Sequence, residues 1–479
     1  RISSLTSPGL PPEIDPSKLR KIAGQELTPR SIDKAKSALL NALQNDGYAC
    51  PEIAISADSV SGELVARTVT GGLRTIDQIT PPRLDKTDPR ILRRYEAFKI
   101  GQRFDMRLLA LTSERILTDS LFVSSYYDVD CSSSGLRITQ KTVEGKPRLY
   151  QMGVGFDSED YTIAKVQWKD ARIDGRGSSL AGTLYASYRR QSAEASMREY
   201  LSASSRFYLR PRLDFDRENQ VQYETVNAEA SVLAASSWDG ESLRAEAAVG
   251  PARQYIRTLR GPGPDNDTFL VLRTQWSLLD HLFEYYAGEP RRGWRASLET
   301  VSRADALDSS FTAHNISAHG EHLWNVGNYD PPLLVAGTRW WLATTYVDRR
   351  SAAQSGLGPD MRFYMGGDAN FRGAPLKGLP NDDAGFLTAA YDGLELRMGD
   401  IIARGLQPLV FVDAAMGGRE DAHLDPDVYW APGAGLRWAL PVGSIRATAS
   451  RGMIWRRETA LPPLYRPHWQ FFVSFGREF

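Results

Sequence analysis

The chain has 479 residues, enough for more than one domain, and its 58 lysines and arginines are balanced by 58 aspartates and glutamates. That balance excludes a strong pull toward nucleic acid or another polyanion. The absence of any run of about 18 uncharged apolar residues excludes a transmembrane helix. The mean hydropathy of −0.37 leaves a transmembrane barrel open, because strands that alternate lipid-facing and lumen-facing residues average to a polar composition. The aromatic inventory is heavy (11 Trp, 20 Tyr, 17 Phe), and the 40 glycines suit tight turns. Arg1 is not preceded by a charged and then apolar leader, so a signal peptide has been removed or the chain trimmed.

The N-terminal part reads as a repeated αβ module. Asp15-Pro16 is an N-cap with proline in the first helical turn, carrying Leu19 and Ile22 and ending at Gly24-Gln25. A second helix starts at Thr28-Pro29, with Ile32, Ala35, Leu39 and Leu43 at helical spacing and Gly47 just past its end. Strand-like runs follow at 53–56 and 63–68. The same order then returns. Asp88-Pro89 opens a helix with Ile91, Leu92, Tyr95 and Phe98 that ends at Gly101-Gln102. A longer helix carries Leu108, Leu111, Ile116 and Leu117, and a strand pair falls near 122–128 and 136–143. Each unit reads β-α-α-β-β. The expected division is 1–70 for the first, 71–146 for the second and 147–479 for the remainder. Cys50 and Cys131 form either a disulfide, as an oxidising periplasm would favour, or two small buried thiols.

From Pro147 onward the period changes to two. Tyr150, Met152, Val154 and Phe156 share one face, opposite Gly153 and Gly155. Thr162, Ala164, Val166 and Trp168 stand opposite Lys165 and Gln167, and Leu334, Ala336, Trp340 and Leu342 alternate with Gly337 and Arg339. About eleven such segments precede Gly366 and about five follow it, which predicts a closed antiparallel barrel of about sixteen strands. In the last segment Trp469, Phe471, Val473, Phe475 and Phe479 share a face, with Gln470, Ser474, Gly476 and Glu478 opposite and Phe472 an exception.

The run Phe363-Tyr364-Met365-Gly366-Gly367-Asp368-Ala369-Asn370-Phe371-Arg372-Gly373 resembles the inward-folded sixth extracellular loop of the BamA, TamA and FhaC superfamily. Further matches follow in order. Glu144-Gly145-Lys146-Pro147-Arg148 through Gly155-Phe156 resembles the junction of last POTRA domain and first strand in the TamA-like branch. Phe411-Val412-Asp413-Ala414 is similar to the strand with an interior aspartate. Gly433-Ala434-Gly435-Leu436-Arg437-Trp438 with Pro441-Val442-Gly443 resembles the penultimate region. Ala374 stands where the family usually carries an aromatic, which leaves the packing of the loop tip open.

The resemblance implies a sixteen-stranded outer-membrane β-barrel behind two periplasmic POTRA-like domains, where TamA-like relatives usually have three. It also implies a loop anchor in the lumen: Arg372, with Gly373, Gly366 and Gly367, reaching carboxylates. Period-two bookkeeping puts Glu395 (opposite Leu394 and Leu396) and Asp413 (opposite Val410, Val412 and Ala414) inside, where a guanidinium can bind them bidentately. The implied function is insertion or folding of β-barrel or autotransporter clients by strand addition at a lateral seam. That seam runs between the first strand (Tyr150, Gly153, Gly155) and the last (Phe471, Val473, Phe475, Phe479). The alternative is a two-partner secretion transporter that exports a protein through the pore. Both readings imply unfolded outer-membrane or secreted clients, the lipid bilayer and a periplasmic or inner-membrane partner at the N-terminal domains. Neither implies nucleic acid, cofactor or metal.

No nucleophile elbow, Walker loop or H-E-x-x-H occurs, so no enzyme is expected. His319 and His322 form an H-x-x-H, which on a strand points its rings to opposite faces.

Overall fold

The computed structural model describes residues 1–14, 24–132, 135–240, 242–280, 284–286, 289–304, 312–348, 357–399, 403, 405–440, 443–456, 465 and 467–476. The helix expected from Asp15-Pro16, the Pro441-Val442 pair and Phe479 lie outside these. The chain divides into two compact units. One comprises Arg1–Pro147 with the short segments Asp174–Gly177 and Ser202–Ser204, and the other comprises the rest.

The first unit contains two three-stranded sheets of one topology. In the first, Ser4–Thr6 runs parallel to Glu63–Val69, which pairs antiparallel with Glu52–Ala57. In the second, Ile79–Thr80 runs parallel to Gly135–Glu144, which pairs antiparallel with Phe122–Ser132. The repeat read from the sequence is thus a repeat of sheet order.

Helix α1, Pro29–Asn45, begins with a Thr28–Ser31 capping box and buries Ser31, Ala35, Leu39 and Leu43. Ile2, Leu64 and Ala66 complete the core beneath it. Asp88 caps as expected, but Pro89–Arg94 is a single 3-10 stretch and the helix does not reach Phe98. The Ala97 N–H is instead taken by the Thr112 hydroxyl of the next helix, and the Lys99 N–H by the Gln102 side chain. That next helix, α2 (Met106–Thr118), buries Leu109, Thr112, Arg115 and Ile116, while Leu117 is exposed. The inner face is rotated by about one residue from the leucine pattern, because Thr112 is a satisfied core polar group. Cys50 and Cys131 form a disulfide with a Cα–Cα distance of 5.7 Å, joining the turn after α1 to the second sheet.

The second unit is a closed antiparallel barrel of sixteen staves. They are β1 (Arg148–Asp157), β2 (Tyr161–Asp170), β3 (Ser179–Ala186), β4 (Arg190–Tyr200), β5 (Phe207–Asn219), β6 (Glu224–Asp239), β7 (Leu243–Arg260) and β8 (Asp267–Asp280). Then come β9 (Glu289–Arg303), β10 (Ala313–Asn325), β11 (Leu334–Val347), β12 (Thr388–Met398), β13 (Leu406–Gly418), β14 (Val428–Leu440), β15 (Gly443–Arg451, continued by Met453–Trp455) and β16 (Trp469–Gly476). Eleven staves precede the Gly366 loop and five follow it, as the alternation predicts. The outer face carries Met152, Val154, Leu213, Leu342, Val412 and Phe471, all exposed. The closed sheet thus turns apolar side chains outward and polar ones into the lumen, the alternation of period two. No described helix is long and apolar enough to cross a membrane.

The inner face is charged. Across β4–β9, Arg198 and Arg210 meet Glu246, and Arg273 meets Glu229 and Glu299. Across β11–β15 it is instead covered by the loop between β11 and β12. Phe363, Met365, Phe371, Ala374, Leu379 and Phe386 of that loop pack on Ala343, Ala389, Tyr391, Ala415, Tyr429 and Ala431 of the wall.

Candidate functional site

The loop is a self-bonded hairpin held inside the barrel. Phe363 pairs with Phe386, and Met365 with Leu379. At its start Gly366 and Gly367 have φ of +121° and +104°, where a side chain is strained. A Cβ on Gly366 would also lie 2.1 Å from the Pro375 carbonyl oxygen, and one on Gly373 would lie 2.5 Å from the Phe371 ring. The tip is therefore too tightly folded for any residue but glycine at these positions.

Arg372 is fully buried. Its Nε and Nη2 each donate to Asp413 at 2.8 Å, one to each carboxylate oxygen, and its backbone N–H donates to the same carboxylate at 3.0 Å. Its Nη1 donates to Glu395 at 2.6 Å, and the guanidinium lies over the Phe411 ring, 3.3 Å from the centroid. Strand parity puts Glu395 and Asp413 on the lumen side of β12 and β13. The structure thus brings together the arginine and both carboxylates that the sequence singles out.

Sequence reading missed the rest of the shell. Arg397 (2.7 Å) and Arg446 (3.0 Å) also hold Glu395, and Arg446 approaches Asp368 at 3.9 Å. Arg372, Arg397 and Arg446 thus converge on Glu395, so these buried ions are paired, the condition under which burying them is tolerable. Ser450 donates to the Arg372 carbonyl and Tyr465 to the Gly373 carbonyl. Arg446 and Ser450 share the inner parity of β15 and could have been found from it, whereas Tyr465 sits in a long connection with no periodic signal. Ala374 is fully buried in this cluster, and the aromatic packing at the tip comes from Phe371 against Tyr465.

Other contacts hold the loop away from the tip. Lys377 Nζ meets Glu218 of β5 at 2.7 Å and reaches the Tyr223 hydroxyl. Arg303 of β9 meets Asp360 and Gln254. The 158–160 turn after β1 supplies Glu159, which accepts the Asp368 N–H at 3.1 Å. Burial and the neighbouring Asp368, Asp157 and Asp160 push the Glu159 carboxyl up to about 7.

Among the described residues the seam between β16 and β1 carries few register pairs. Only Phe156–Phe475 and Asp157–Ser474 are in register among the described residues, against ten pairs between β1 and β2 and eight between β15 and β16. Part of the expected seam pairing lies outside the described residues, which end at Gly476. The register is shifted toward the end of β1, so Tyr150 and Gly153 have no described β16 residue across from them. Phe471 falls beyond the end of β1, and Val473 meets Ser158 of the turn. Gly155 is at the seam, and a Cβ there would lie 2.9 Å from the Phe475 carbonyl oxygen. Phe472, the exception in the alternation, is buried on the inner face.

His319 bonds Ser297 on the inner side, while His322 stacks on Trp324 outside, so the two cannot share an ion. Among the described residues no group of three or more His, Cys, Asp or Glu side chains could hold a metal.

Residues 145–451 match the Omp85 superfamily domain. No curated protein sequence matches the chain. Among solved structures it is similar to BamA from Haemophilus ducreyi lacking POTRA domains 1-3, at 14% identity, with 100% of this chain and 99% of that one covered and a TM-score of 0.65. It is also similar to CdiB from Acinetobacter baumannii (13% identity, 99% and 89% covered, TM-score 0.58). CdiB from Escherichia coli matches at 12% identity, 99% and 90% covered, with a TM-score of 0.54. At such identities these likenesses speak to fold.

Proposed function

This chain belongs to the Omp85 superfamily, and from that premise we propose that it is an outer-membrane assembly factor that inserts or folds β-barrel or autotransporter clients. It works by strand addition at the β1–β16 seam and carries out no covalent chemistry. The observation that carries the reading is the seam itself. Among the described residues two register pairs hold it, and β1 from Arg148 to Val154 has no described register partner on that side. An unpaired edge of this kind templates an incoming strand. On this reading the barrel sits in the bacterial outer membrane. The two modules, 1–70 and 71–146, are POTRA-like domains in the periplasm that offer sheet edges to unfolded clients or a partner protein.

The charged lumen of β4–β9 also suits a transporter that exports a protein through its pore, the reading that similarity to CdiB keeps in play. A reversible lock separates the two. Phe156→Cys with Phe475→Cys places thiols on the outward-facing register pair among the described seam residues. Oxidation is expected to stop insertion of barrel and autotransporter clients in cells, and reduction to restore it. Full insertion with the crosslink complete would sink the strand-addition mechanism, and continued export of a large soluble client through the locked barrel would favour the pore.

A further inference from the structure

We propose that the three-residue turn 158–160 is a clasp that ties the inward loop to the seam, with Glu159 holding the loop and Ser158 holding β16. Three independent observations point to it. First, both hooks are made by adjacent residues on opposite sides of one turn. The Ser158 N–H donates to the Val473 carbonyl at 2.9 Å, and the Ser158 hydroxyl accepts the Val473 N–H at 3.2 Å. These are seam bonds contributed by the turn after β1 itself ends. Next to them, Glu159 accepts the Asp368 N–H at 3.1 Å, across 209 residues of sequence.

Second, the turn is built to hold that shape. Asp157 accepts the Glu159 N–H at 2.8 Å as well as the Asp160 N–H, and Arg189 of the β3–β4 turn donates to the Glu159 carbonyl at 2.8 Å. Tyr161 follows with φ of 60°, a left-handed position that favours glycine, and its ring is packed edge-on against Tyr188. Strain kept at a turn by surrounding bonds is a mark of a positioned element rather than a passive connection.

Third, the loop is shaped to receive the carboxylate. Gly367 leaves the space in which Glu159 sits, and a Cβ there would lie 2.8 Å from Glu159 Oε1. Asp368 is fixed from the other side by Thr448 of β15 at 3.2 Å and by Arg446. Glu159 Oε1 is buried with no hydrogen-bond partner, and its carboxyl is held up near 7. The carboxylate is thus kept in an unfavourable environment for the sake of one backbone bond to the loop.

The consequence is mechanical coupling. Withdrawal of the loop removes the support of Glu159, and movement of Glu159 displaces Ser158 and its two bonds to β16. A coupling free energy is reciprocal, so loosening the seam must equally loosen the loop. This inference rests on the reading of β1–β16 as the working seam.

The test uses the full chain in lipid nanodiscs. Spin labels at Val154 and Phe471, both outward-facing, report separation of the seam, and hydrogen exchange of the loop peptide containing Asp368 reports the loop. Glu159→Ala is expected to raise the separated population about three- to tenfold, the scale of one lost hydrogen bond with a buried partner left over. Glu159→Gln, whose amide oxygen still accepts the Asp368 N–H, should restore most of the native distribution. Ser158→Ala, which removes a bond to β16 and none to the loop, should speed exchange at Asp368 by a similar factor. Lys377→Ala, which leaves the Asp368 N–H bonded to Glu159, should move the seam labels less than Glu159→Ala does. A Glu159→Ala protein with a native seam, or a Ser158→Ala protein with native loop exchange, would overturn the clasp while leaving the seam reading intact. A native protein whose labels never separate, even while it inserts clients, would overturn the seam reading and the clasp with it.

Discussion

The wall of β12–β15 and the seam between β16 and β1 are neighbours in one sheet, yet they are built on opposite principles. The wall is cross-linked through the lumen. Arg372 puts three hydrogen bonds on Asp413 and one on Glu395, and Glu395 holds two further arginines. Among the described residues the seam has two register pairs and the two bonds of Ser158. A closed barrel needs no such asymmetry, since uniform pairing would be more stable. The difference teaches that the loop stiffens one side, so that any opening is confined to the other.

Removing the anchor should have the largest effect on this comparison. Arg372→Ala leaves Asp413 buried without its guanidinium, a change worth about 3–5 kcal/mol. The loop should become cleavable by protease near Phe371, and heat-modifiable migration of the barrel should shift to lower temperature. Arg372→Lys keeps the charge but loses the bidentate fork and should recover only part of this. Glu395→Gln should cost less than Asp413→Asn in the same assay, because Asp413 makes the bidentate contact.

An intermediate effect is expected at Gly155. Gly155→Val sets a side chain against the Phe475 carbonyl and should widen the seam, read as faster Phe156–Phe475 thiol separation, with thermal stability of the wall unchanged. A fall in stability as large as that of Arg372→Ala would mean that the seam carries as much of the barrel's strength as the wall. Lys377→Ala should lower stability by about 1 kcal/mol, since its ion pair with Glu218 is partly exposed and screened.

The remaining effect is the pH dependence of the clasp. The Glu159 carboxyl sits near 7 in the clasped state against an ordinary 4.5, so the clasped state binds its proton more tightly. Protonation therefore favours clasping: the advantage is full below about 4.5 and is lost as pH rises through about 7. The groups facing it are Asp157 and Asp160 in its own turn and Asp368 from the loop, with Arg189 on its carbonyl and Arg446 beyond Asp368. Seam separation measured by spin labels should increase across that window in the native protein and stay flat in Glu159→Gln.

Much of this architecture was legible because a strand has period two. Parity alone put Glu395 and Asp413 on the inner faces of their strands, and the eleven-plus-five division of staves followed from counting alternations. The same parity would have yielded Arg397 and Arg446, but an arginine at an inner position carries no sign of which carboxylate it meets. Register was not legible. The offset that sets Ser474 opposite Asp157, and leaves Gly153 without a described partner, depends on the shear of the closed sheet and on no local residue pattern. The clasp was invisible for another reason. Ser158, Glu159 and Asp160 form an ordinary polar turn until the loop, 209 residues away, supplies the N–H that Glu159 accepts. In the N-terminal unit, the helix expected through Phe98 failed because Thr112 of a later helix satisfies the Ala97 N–H, a tertiary bond that outcompetes continuation of a short helix.

The contrast between wall and seam is tested most directly by hydrogen exchange of the native protein in a bilayer, with no substitution at all. Amides of β1 from Gln151 to Phe156 and of β16 from Phe471 to Phe475 are expected to exchange at least about a hundredfold faster than those of β12 and β13 around Glu395 and Asp413. Equal protection on the two sides would contradict it, and would mean that the barrel opens nowhere in particular.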